Sequence, residues 1–576
     1  MDKQWKEIMR NAWDISPALA VYLPERLLVR ASSVDDTIRN SVMERELTRL
    51  VRSNPEMVSH IPKALDYFLT KESIESDSPE LTYILTWAKS SPIHALSLLC
   101  PRTHPSHPLT AQYAVRTLAS YPPDAVLFYI QQLVQATRWD DLGYVKEFVK
   151  KISNESNLVA HQLIWNMDVN MFKDEDGEVK DPHMYDYLLP LRSAIVDGFE
   201  NTAKQFYERQ FKFFNDITSI SGIIKDYPKG PQRKSACINA LQEIKLEHGC
   251  YLPSNPDCLV LDIVRASGQP MQSAAKAPYL ATFQVRYLGI NKLEATGLNY
   301  SAKSDTGIPT PPEGKDSYKS AIFKVGDDCR QDMLALQIIE LFKYIFQQVG
   351  LDLFLFPYKV VATMPGCGVI ECVPDSKSRD QIGRKANTSL FSYFKKEFGE
   401  EGSQRFKTAR RNFIKSMASY SVIVFLLQIK DRHNGNLMID KEGNIIHIDF
   451  GFMFESSPGG NLAFEPDMKL TGEFVDIMGG KIDAPQFKSF MKLCVHAYLA
   501  VRPYWKEIIY LVQLMLDTEL PCFRGQTIEQ LRHRLQPHLS DLEAAKYMIS
   551  IINSSFLNFR TRAYDMLQYH QNQIPY

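Results

Sequence analysis

The amino-acid sequence predicts a multidomain chain in which an N-terminal all-α, solenoid-like helical domain, residues 1–230, precedes a bilobal α+β domain, residues 231–576. Three observations carry that prediction. A length of 576 residues exceeds what one hydrophobic core ordinarily organises. Residues 1 to about 215 show helical periodicity cut into modest lengths by proline and asparagine. From Tyr251 short runs of β-branched and aromatic residues take over, and after Pro374 the helical pattern returns.

In the helical part, Leu142, Val145, Val149 and Ile152 follow Asp140, a residue type that caps helices. A second segment starts at Asp124, after Pro122-Pro123, and continues through Val126, Ile130, Leu133 and Val134. Breaks at Pro105/Pro108, Pro122/Pro123 and Asn154/Ser156 leave stacked helices, the pattern of an α-solenoid, although no repeat is legible residue by residue. Strands are expected at Cys258–Val264, Tyr279–Val285, Ala321–Val325, Leu353–Thr363 and Gly368–Val373, which places the smaller lobe at about 231–373. Residues 291–320, poor in large apolar side chains, read as a flexible insertion within it. A long helix then carries Leu334, Ile338, Leu341, Ile345 and Val349 on one face. The larger lobe, about 374–576, has its clearest helix in Phe406, Phe413, Met417, Tyr420, Val424 and Leu427, and a ligand cleft is expected between the lobes.

Composition narrows the function classes. Hydrophobic residues make up 45% and charged residues 23%, as in soluble globular proteins. The formal net charge of -1 offers no global field for nucleic acid, so any membrane attraction must be local. Nine cysteines show no C-x-x-C spacing, and the closest, Cys367 and Cys372, sit in an apolar run; reduced buried thiols are expected rather than disulfides or zinc. The charged start MDKQWKEIMRNAWDI has no signal-peptide core. The longest strongly apolar stretch, Val422–Leu427, falls far short of the ~20 residues a membrane span needs. A soluble, cytoplasmic protein is expected.

The chemistry concentrates in Ile429–Phe454, IKDRHNGNLMIDKEGNIIHIDFGFMF. Asp431 and Asn436 stand in an Asp-x4-Asn loop, and Asp449-Phe450-Gly451 follows a hairpin turning at 441–444. Phosphoryl transfer needs metal ions on the phosphates, an aligned hydroxyl and charge stabilisation more than it needs covalent help. Asn436 and Asp449 offer hard oxygen donors for Mg²⁺, and Asp431 and His433 can orient or deprotonate a hydroxyl. His447, alternating with Ile446 and Ile448, reads as a hydrogen-bonded structural residue.

Two features depart from protein kinases. The loop reads Asp431-Arg432-His433, the reverse of His-Arg-Asp, and the glycine-rich loop is replaced by SGQPMQSAAKAP from Ser267 to Pro278. Small residues there, Ser273 among them, let backbone approach phosphates, and Lys276 adds a cation. The chain thereby resembles the phosphoinositide 3-/4-kinase superfamily, which implies a protein-kinase-like lipid kinase fold using ATP with Mg²⁺, or alternatively Mn²⁺. The resemblance implies phosphate binding by Lys324 in AIFKVGDDCRQD and an orienting role for Asp332. It also implies a hinge over Gly368–Val373, whose backbone at Glu371 and Val373 pairs with adenine, and makes Tyr358 a pocket candidate.

Longer stretches, among them HIDFGFMFESSPGGNLAFEPDMKLT, PYKVVATMPGCGVIEC, LPCFRGQT, HPLTAQYAV and AHQLIWNM, resemble the alpha branch of the type III phosphatidylinositol 4-kinases. Members of that branch are much longer, with a helical solenoid ahead of the part matched. The resemblance implies phosphatidylinositol in a membrane as substrate, the 4-hydroxyl as acceptor and peripheral recruitment, with the plasma membrane as the destination. It also implies scaffold proteins of the 4-kinase complex, whose binding depends on the preceding solenoid, and no nucleic-acid partner. The alternatives are a catalytically silent scaffold fragment, a phosphatidylinositol 3-kinase and a protein kinase of the same superfamily.

The segment after Asp449 supplies a separate argument about the substrate. Its only basic residue is Lys469, against Glu455, Glu465 and Asp467. A head group already bearing phosphates would call for several Lys or Arg, so the loop suits an unphosphorylated inositol, with Lys469 as a substrate contact; it does not choose between the 3- and 4-hydroxyls. The end of the chain, Ser555–Tyr576, mixes aromatic residues with Arg560 and Arg562 and suits a membrane surface and core packing equally.

Overall fold

The structure, a computed structural model, describes residues 2–28, 34–271, 277–302, 311–386, 389–458 and 466–558. Helices dominate up to Glu243. Proline sets their starts: helices beginning at Pro92, Pro108 and Pro123 each carry it in the first turn, where its missing N–H costs nothing. The segment expected from Asp124 to Val134 is accordingly two helices, Pro123–Leu127 and α1 (Ile130–Ala136). The Asp140 carboxylate accepts from the N–H groups of Val145 and Lys146 and caps a helix that starts at Tyr144, which leaves Leu142 exposed. Helix α2 (Asn157–Asn170) is buried along most of its length, capped by the Ser156 hydroxyl. Helices α3 (Asn201–Lys225) and α4 (Pro231–Glu243) lead to the sheet.

That sheet begins at Tyr251, where the residue pattern changes. Strands β1 (Tyr251–Leu252), β2 (Asn255–Pro270), β3 (Tyr279–Tyr287), β4 (Lys315–Val325), β5 (Val360–Met364) and β6 (Cys367–Glu371) pair antiparallel in the order β1-β2-β3-β4-β6-β5. The strand expected over Leu353–Thr363 shrinks to β5, its first half being irregular.

Of residues 291–320, expected to be a flexible insertion, the described parts at the two ends are regular secondary structure, and 303–310 lie outside the described residues. Ile290–Ser301 form helix α5, and the segment ends in β4. Packing and hydrogen bonds explain the helix. Leu293 is fully buried, and Gly297 lies against Phe206 so closely that a Cβ would stand 2.4 Å from the ring. Arg209 on α3 donates to the Gly297 carbonyl and the Ser301 hydroxyl, and Glu294 accepts from the Ser156 hydroxyl and the Asn157 N–H at the start of α2. Docking sites on two other helices order a stretch that has little apolar content of its own.

Helix α6 (Arg330–Gln348) packs against β5 of the sheet. The larger lobe holds a small sheet of β7 (Ser376–Ser378), β8 (Leu437–Asp440) and β9 (Ile445–His447) beside the long buried helix α7 (Gln404–Leu427), with α8 (Pro485–Val501), α9 (Trp505–Gln513) and α10 (Asp541–Ser555) around it. One buried apolar cluster runs from Met9 to Ile552, so the helical part and the larger lobe share a core. Among the described residues no helix is long and apolar enough to cross a membrane. The nine cysteines are buried or half-buried and form no disulfide among the described residues. Most of the C-terminal stretch, from residue 559, lies outside the described residues.

The helical part joins the sheet through His161 on α2. Its ring is fully buried, lies parallel to Tyr251 on β1 and touches Phe206 and Phe211 of α3, with Nδ1 3.0 Å from the Tyr251 hydroxyl. Burial, reinforced by the Arg209 charge, pulls its pKa down from 6.5 to about 3. In the unfolded chain the ring takes up a proton near pH 6.5, whereas the folded chain resists protonation down to about 3, so this joint loses stability as pH falls through that window. From about pH 7 to about pH 5 the loss is on the order of 2 kcal/mol. Denaturation midpoints at both pH values should show a smaller acid penalty for His161→Phe than for the wild type; equal penalties would contradict this role.

Candidate active site

Helix α7 ends at Leu427, and Gln428 takes a left-handed conformation (φ 49°) that turns the chain into the 429–436 loop. Asp431 (φ 60°) and Asp449 (φ 61°) hold left-handed conformations uncommon for residues other than glycine. Between them β8 and β9 form the expected hairpin, whose turn is closed by the Asp440 carboxylate accepting from the Glu442 and Asn444 N–H groups.

Contacts from well-separated parts of the chain pin the backbone of Asp449-Phe450-Gly451. The Asp449 N–H donates to the Tyr358 hydroxyl at 3.0 Å, and its carbonyl accepts from Arg432. The Phe450 N–H donates to the Asp332 carboxylate at 2.8 Å. The Gln331 side-chain amide donates to the Phe450 carbonyl at 3.0 Å and to the Gly451 carbonyl at 2.6 Å. Arg432, only 2% exposed, also donates to the carbonyls of Lys430 and Ile448 and stacks over the Phe450 ring. A left-handed conformation costs about 1–3 kcal/mol. Hydrogen bonds to charged groups return about 1.5–3 kcal/mol each, enough to hold it.

Around this segment the charges converge. Burial, then the neighbouring Asp449, pushes the Asp332 carboxyl up to about 7. Burial alone would lower the Lys324 pKa, but Asp332 and further groups including Asp327 and Asp449 raise it, and its ammonium contacts the Asp327 carboxylate. Asn436, 6% exposed, donates its amide N–H to the Asp431 carbonyl at 3.0 Å, leaving its amide oxygen as a donor atom for a cation. The oxygens of Asn436 and Asp449 suit a hard divalent ion. Among the described residues no group of three His, Cys, Asp or Glu could hold a metal, so such an ion would complete its shell with phosphates and water.

His433 sits 3.7 Å from the Asp431 carboxylate. Burial lowers its pKa against the opposing pull of Asp431, and its Nδ1 accepts from the Gly435 N–H at 3.0 Å. The neutral ring therefore carries its proton on Nε2 and faces Asp431 as a donor. His447 differs from expectation: it is buried and stacked on Tyr420 at 4.9 Å, with neither ring nitrogen hydrogen-bonded among the described residues. Burial first, then Arg432 and Lys469, hold its pKa far below the usual histidine range. Stacking, not hydrogen bonding, secures it.

The remaining residues singled out from sequence fall in different places. Ser273 and Lys276 lie outside the described residues, although the Met271 N–H closes that hairpin onto the Pro278 carbonyl. The Glu371 carboxylate accepts from Asn255, Lys319 and the Lys359 N–H, and its own N–H is bonded to the Lys359 carbonyl. Val373 is half-buried, its carbonyl accepting from the Ser376 hydroxyl and its N–H without a hydrogen bond among the described residues. Tyr358 is buried, with its hydroxyl on Asp449 and its ring parallel to Phe450. Lys469 is 7% exposed, and its ammonium donates to the Arg432 carbonyl at 2.6 Å beneath the 429–436 loop.

Sequence reasoning passed over Gln331 and Arg432, which stand beside residues it chose; polar side chains flanking a motif were the signal. It also missed the buried amide pair of Gln132 on α1 and Gln337 on α6, each donating to the other. Replacing Gln331 by Leu should lower kcat by about tenfold while leaving the KM for ATP within about twofold, because it releases two carbonyls without touching a nucleotide contact. Steady-state kinetics would show this, and an unchanged kcat would contradict it.

The family model "Phosphatidylinositol 3- and 4-kinase" matches residues 319–525, and "Phosphoinositide 3-kinase family, accessory domain (PIK domain)" matches residues 38–208. The chain is 51% identical over 457 residues to a phosphatidylinositol 4-kinase alpha-like protein, P2, of Homo sapiens, covering 75% of each. It is 41% identical over 578 residues to phosphatidylinositol 4-kinase stt4 of Schizosaccharomyces pombe, covering 99% of this chain and 30% of that protein. Phosphatidylinositol 4-kinase alpha 2 of Arabidopsis thaliana is 40% identical over 75% of this chain and 78% of its own length. The chain thus spans most of two of these relatives and under a third of the third.

Proposed function

The chain belongs to the phosphatidylinositol 3- and 4-kinase family, and we propose that it transfers the γ-phosphate of ATP to the 4-hydroxyl of phosphatidylinositol. The observation that carries this is the pinned Asp449 segment, held in a cluster with Lys324 and Asp332 and preceded by a loop presenting Asp431, His433 and Asn436. The choice of the 4-hydroxyl follows the names of the relatives, which are 4-kinases. Residues 1–230 would form the accessory domain and 231–576 the catalytic domain.

The proposed mechanism assigns each group a task. The Val373 N–H and the Glu371 backbone take the adenine edge, and Lys324, with Lys276 and Ser273, takes the phosphates. Asn436 and Asp449 would hold Mg²⁺, with Mn²⁺ as the alternative. Bound there, a divalent ion would supply charge screening for the phosphates. Asp431 accepts the proton of the inositol hydroxyl, whose oxygen forms the new bond to phosphorus as the bridging oxygen leaves with ADP. His433, with its proton on Nε2, orients Asp431 and the hydroxyl rather than acting as the base. Lys469 serves the substrate by fixing the catalytic loop from below, with the head group as a further contact. The lipid substrate calls for peripheral association with a membrane, the plasma membrane by resemblance, and scaffold proteins of the 4-kinase complex are partners by resemblance alone.

The test is an assay of the purified chain with Mg-ATP and phosphatidylinositol vesicles, in which the phosphate isomer of the product is identified. Asp449→Ala should lose activity by at least about a thousandfold, and Asp431→Asn should lose about 10²–10⁴-fold. His433→Gln should lose only about tenfold if it orients rather than takes the proton. A 3-phosphate product, or equal losses for Asp431→Asn and His433→Gln, would refute the respective part.

A further inference from the structure

Helix α2 packs along β5 and ends at Asn170, and the chain then folds back in a short hairpin closed by a bridge between Phe172 and Lys180. No step of the chemistry above uses it. The Lys173 N–H donates to the Val179 carbonyl at 2.8 Å. The Asp174 carboxylate accepts from the Glu178 N–H at 3.1 Å and the Val179 N–H at 2.7 Å, which closes the tip. The base is clamped as well. The buried Asp181 carboxylate accepts from Arg138 at 3.0 Å, and the Lys180 ammonium lies over the Tyr185 ring.

This hairpin touches both lobes. On the smaller lobe it meets the turn between β5 and β6. Gly366 (φ 59°) lies so close to it that a Cβ would stand 2.4 Å from the Glu175 carbonyl oxygen, and Gly177 lies against Pro365. The Gly366 carbonyl in turn accepts from the Gly326 N–H at 2.5 Å and the Asp327 N–H at 3.0 Å. Asp327 then pairs with the Lys324 ammonium. Glu175 and Asp176 also line a small cavity shared with Val325 and Gly326, so the hairpin flanks the end of β4 directly. On the larger lobe, the Lys173 ammonium donates to the Glu519 carboxylate at 2.7 Å. Just before Glu519, Asp517 is held by Arg102 of the helical part. Just after it, the Cys522 carbonyl accepts from the N–H of Glu455, in the segment that follows Asp449.

We propose that the 172–180 hairpin is a positioning element for the nucleotide: it sets where Lys324 stands over the larger lobe, and Asp174 is the residue that keeps it stiff. The proposal rests on the reading of Lys324 as a phosphate ligand. A lysine at the end of a strand inherits the play of the turn that follows. Pinning that turn from outside removes the play without adding any group to the nucleotide pocket. Position matters because a misplacement of about 1 Å costs up to about a hundredfold in rate. The hairpin lies within residues 38–208, so the accessory domain contributes to nucleotide affinity as well as to the shared core.

The test titrates the full chain with Mg²⁺ and a fluorescent ATP analogue, for the wild type, Asp174→Ala, Lys324→Ala and the double variant. Asp174→Ala should bind about three- to fivefold more weakly. In the lipid-kinase assay its KM for ATP should rise by the same factor, while that for phosphatidylinositol stays within about twofold. Added to Lys324→Ala it should weaken binding no further, because it acts through that lysine. Lys173→Ala removes only a solvent-exposed ion pair; it should shift ATP affinity the same way by about twofold, and it decides the matter if Asp174→Ala does not fold. Unchanged ATP affinity in Asp174→Ala, or in Lys173→Ala should the former not fold, overturns the proposal. So does an equal weakening by Asp174→Ala with and without Lys324, the mark of a general loss of structure. Wild-type affinity in Lys324→Ala would instead refute the assignment of Lys324 to the phosphates, a separate failure seen in a separate variant.

Discussion

The hydrogen bonds that hold Asp449, Phe450 and Gly451 come from Tyr358, Gln331, Asp332 and Arg432, so several distant segments must be in place before one carboxylate, the proposed metal ligand, is. An aspartate in a left-handed conformation would relax if any of them left, because nothing in its own local sequence favours that conformation. Its neighbours cost free energy as well. Asp332 is buried beside Asp449, and two carboxylates this close destabilise each other until a cation arrives. Lys324 supplies part of that compensation. The site is thus held ready and electrostatically incomplete, as a phosphoryl-transfer centre awaiting a metal nucleotide should be.

Helix α6 is where this local constraint meets the global fold. Its first turn holds the Asp449 segment, while further along Gln337 exchanges hydrogen bonds with Gln132 of the helical part. Arg330, next to Gln331, reaches Asn170 on α2, which also accepts from Gln135 on α1. Buried amide pairs of this kind fix register, because a shift would strand polar groups in the core. The helical part therefore braces the helix that grips the catalytic segment, and the apolar core shared from Met9 to Ile552 gives the brace its stiffness.

Much of this was legible in the sequence, for identifiable reasons. The all-α part and the bilobal part declared themselves through residue pattern, since proline at helix starts and the change to β-branched runs at Tyr251 are local signals. The 429–436 loop stood out as a candidate site because phosphoryl transfer calls for particular residue types at fixed spacing. The docked helix α5 was not, because its order comes from Phe206, Arg209 and the start of α2, far away in sequence. His447 was read as hydrogen-bonded, whereas stacking on Tyr420 holds it, a tertiary fact with no periodic trace. The amide pair of Gln132 and Gln337, 205 residues apart, is invisible to any pattern confined to a window.

The most direct measurement is a crystal structure of the chain with Mg²⁺ and a non-hydrolysable ATP analogue. The account predicts the ion on the oxygens of Asn436 and Asp449, with the bonds from Tyr358, Gln331, Asp332 and Arg432 to the 449–451 backbone unchanged. A metal held by Asp431 in place of Asp449, or a 449–451 segment that swings away from Gln331 and Asp332 to meet the nucleotide, would contradict it.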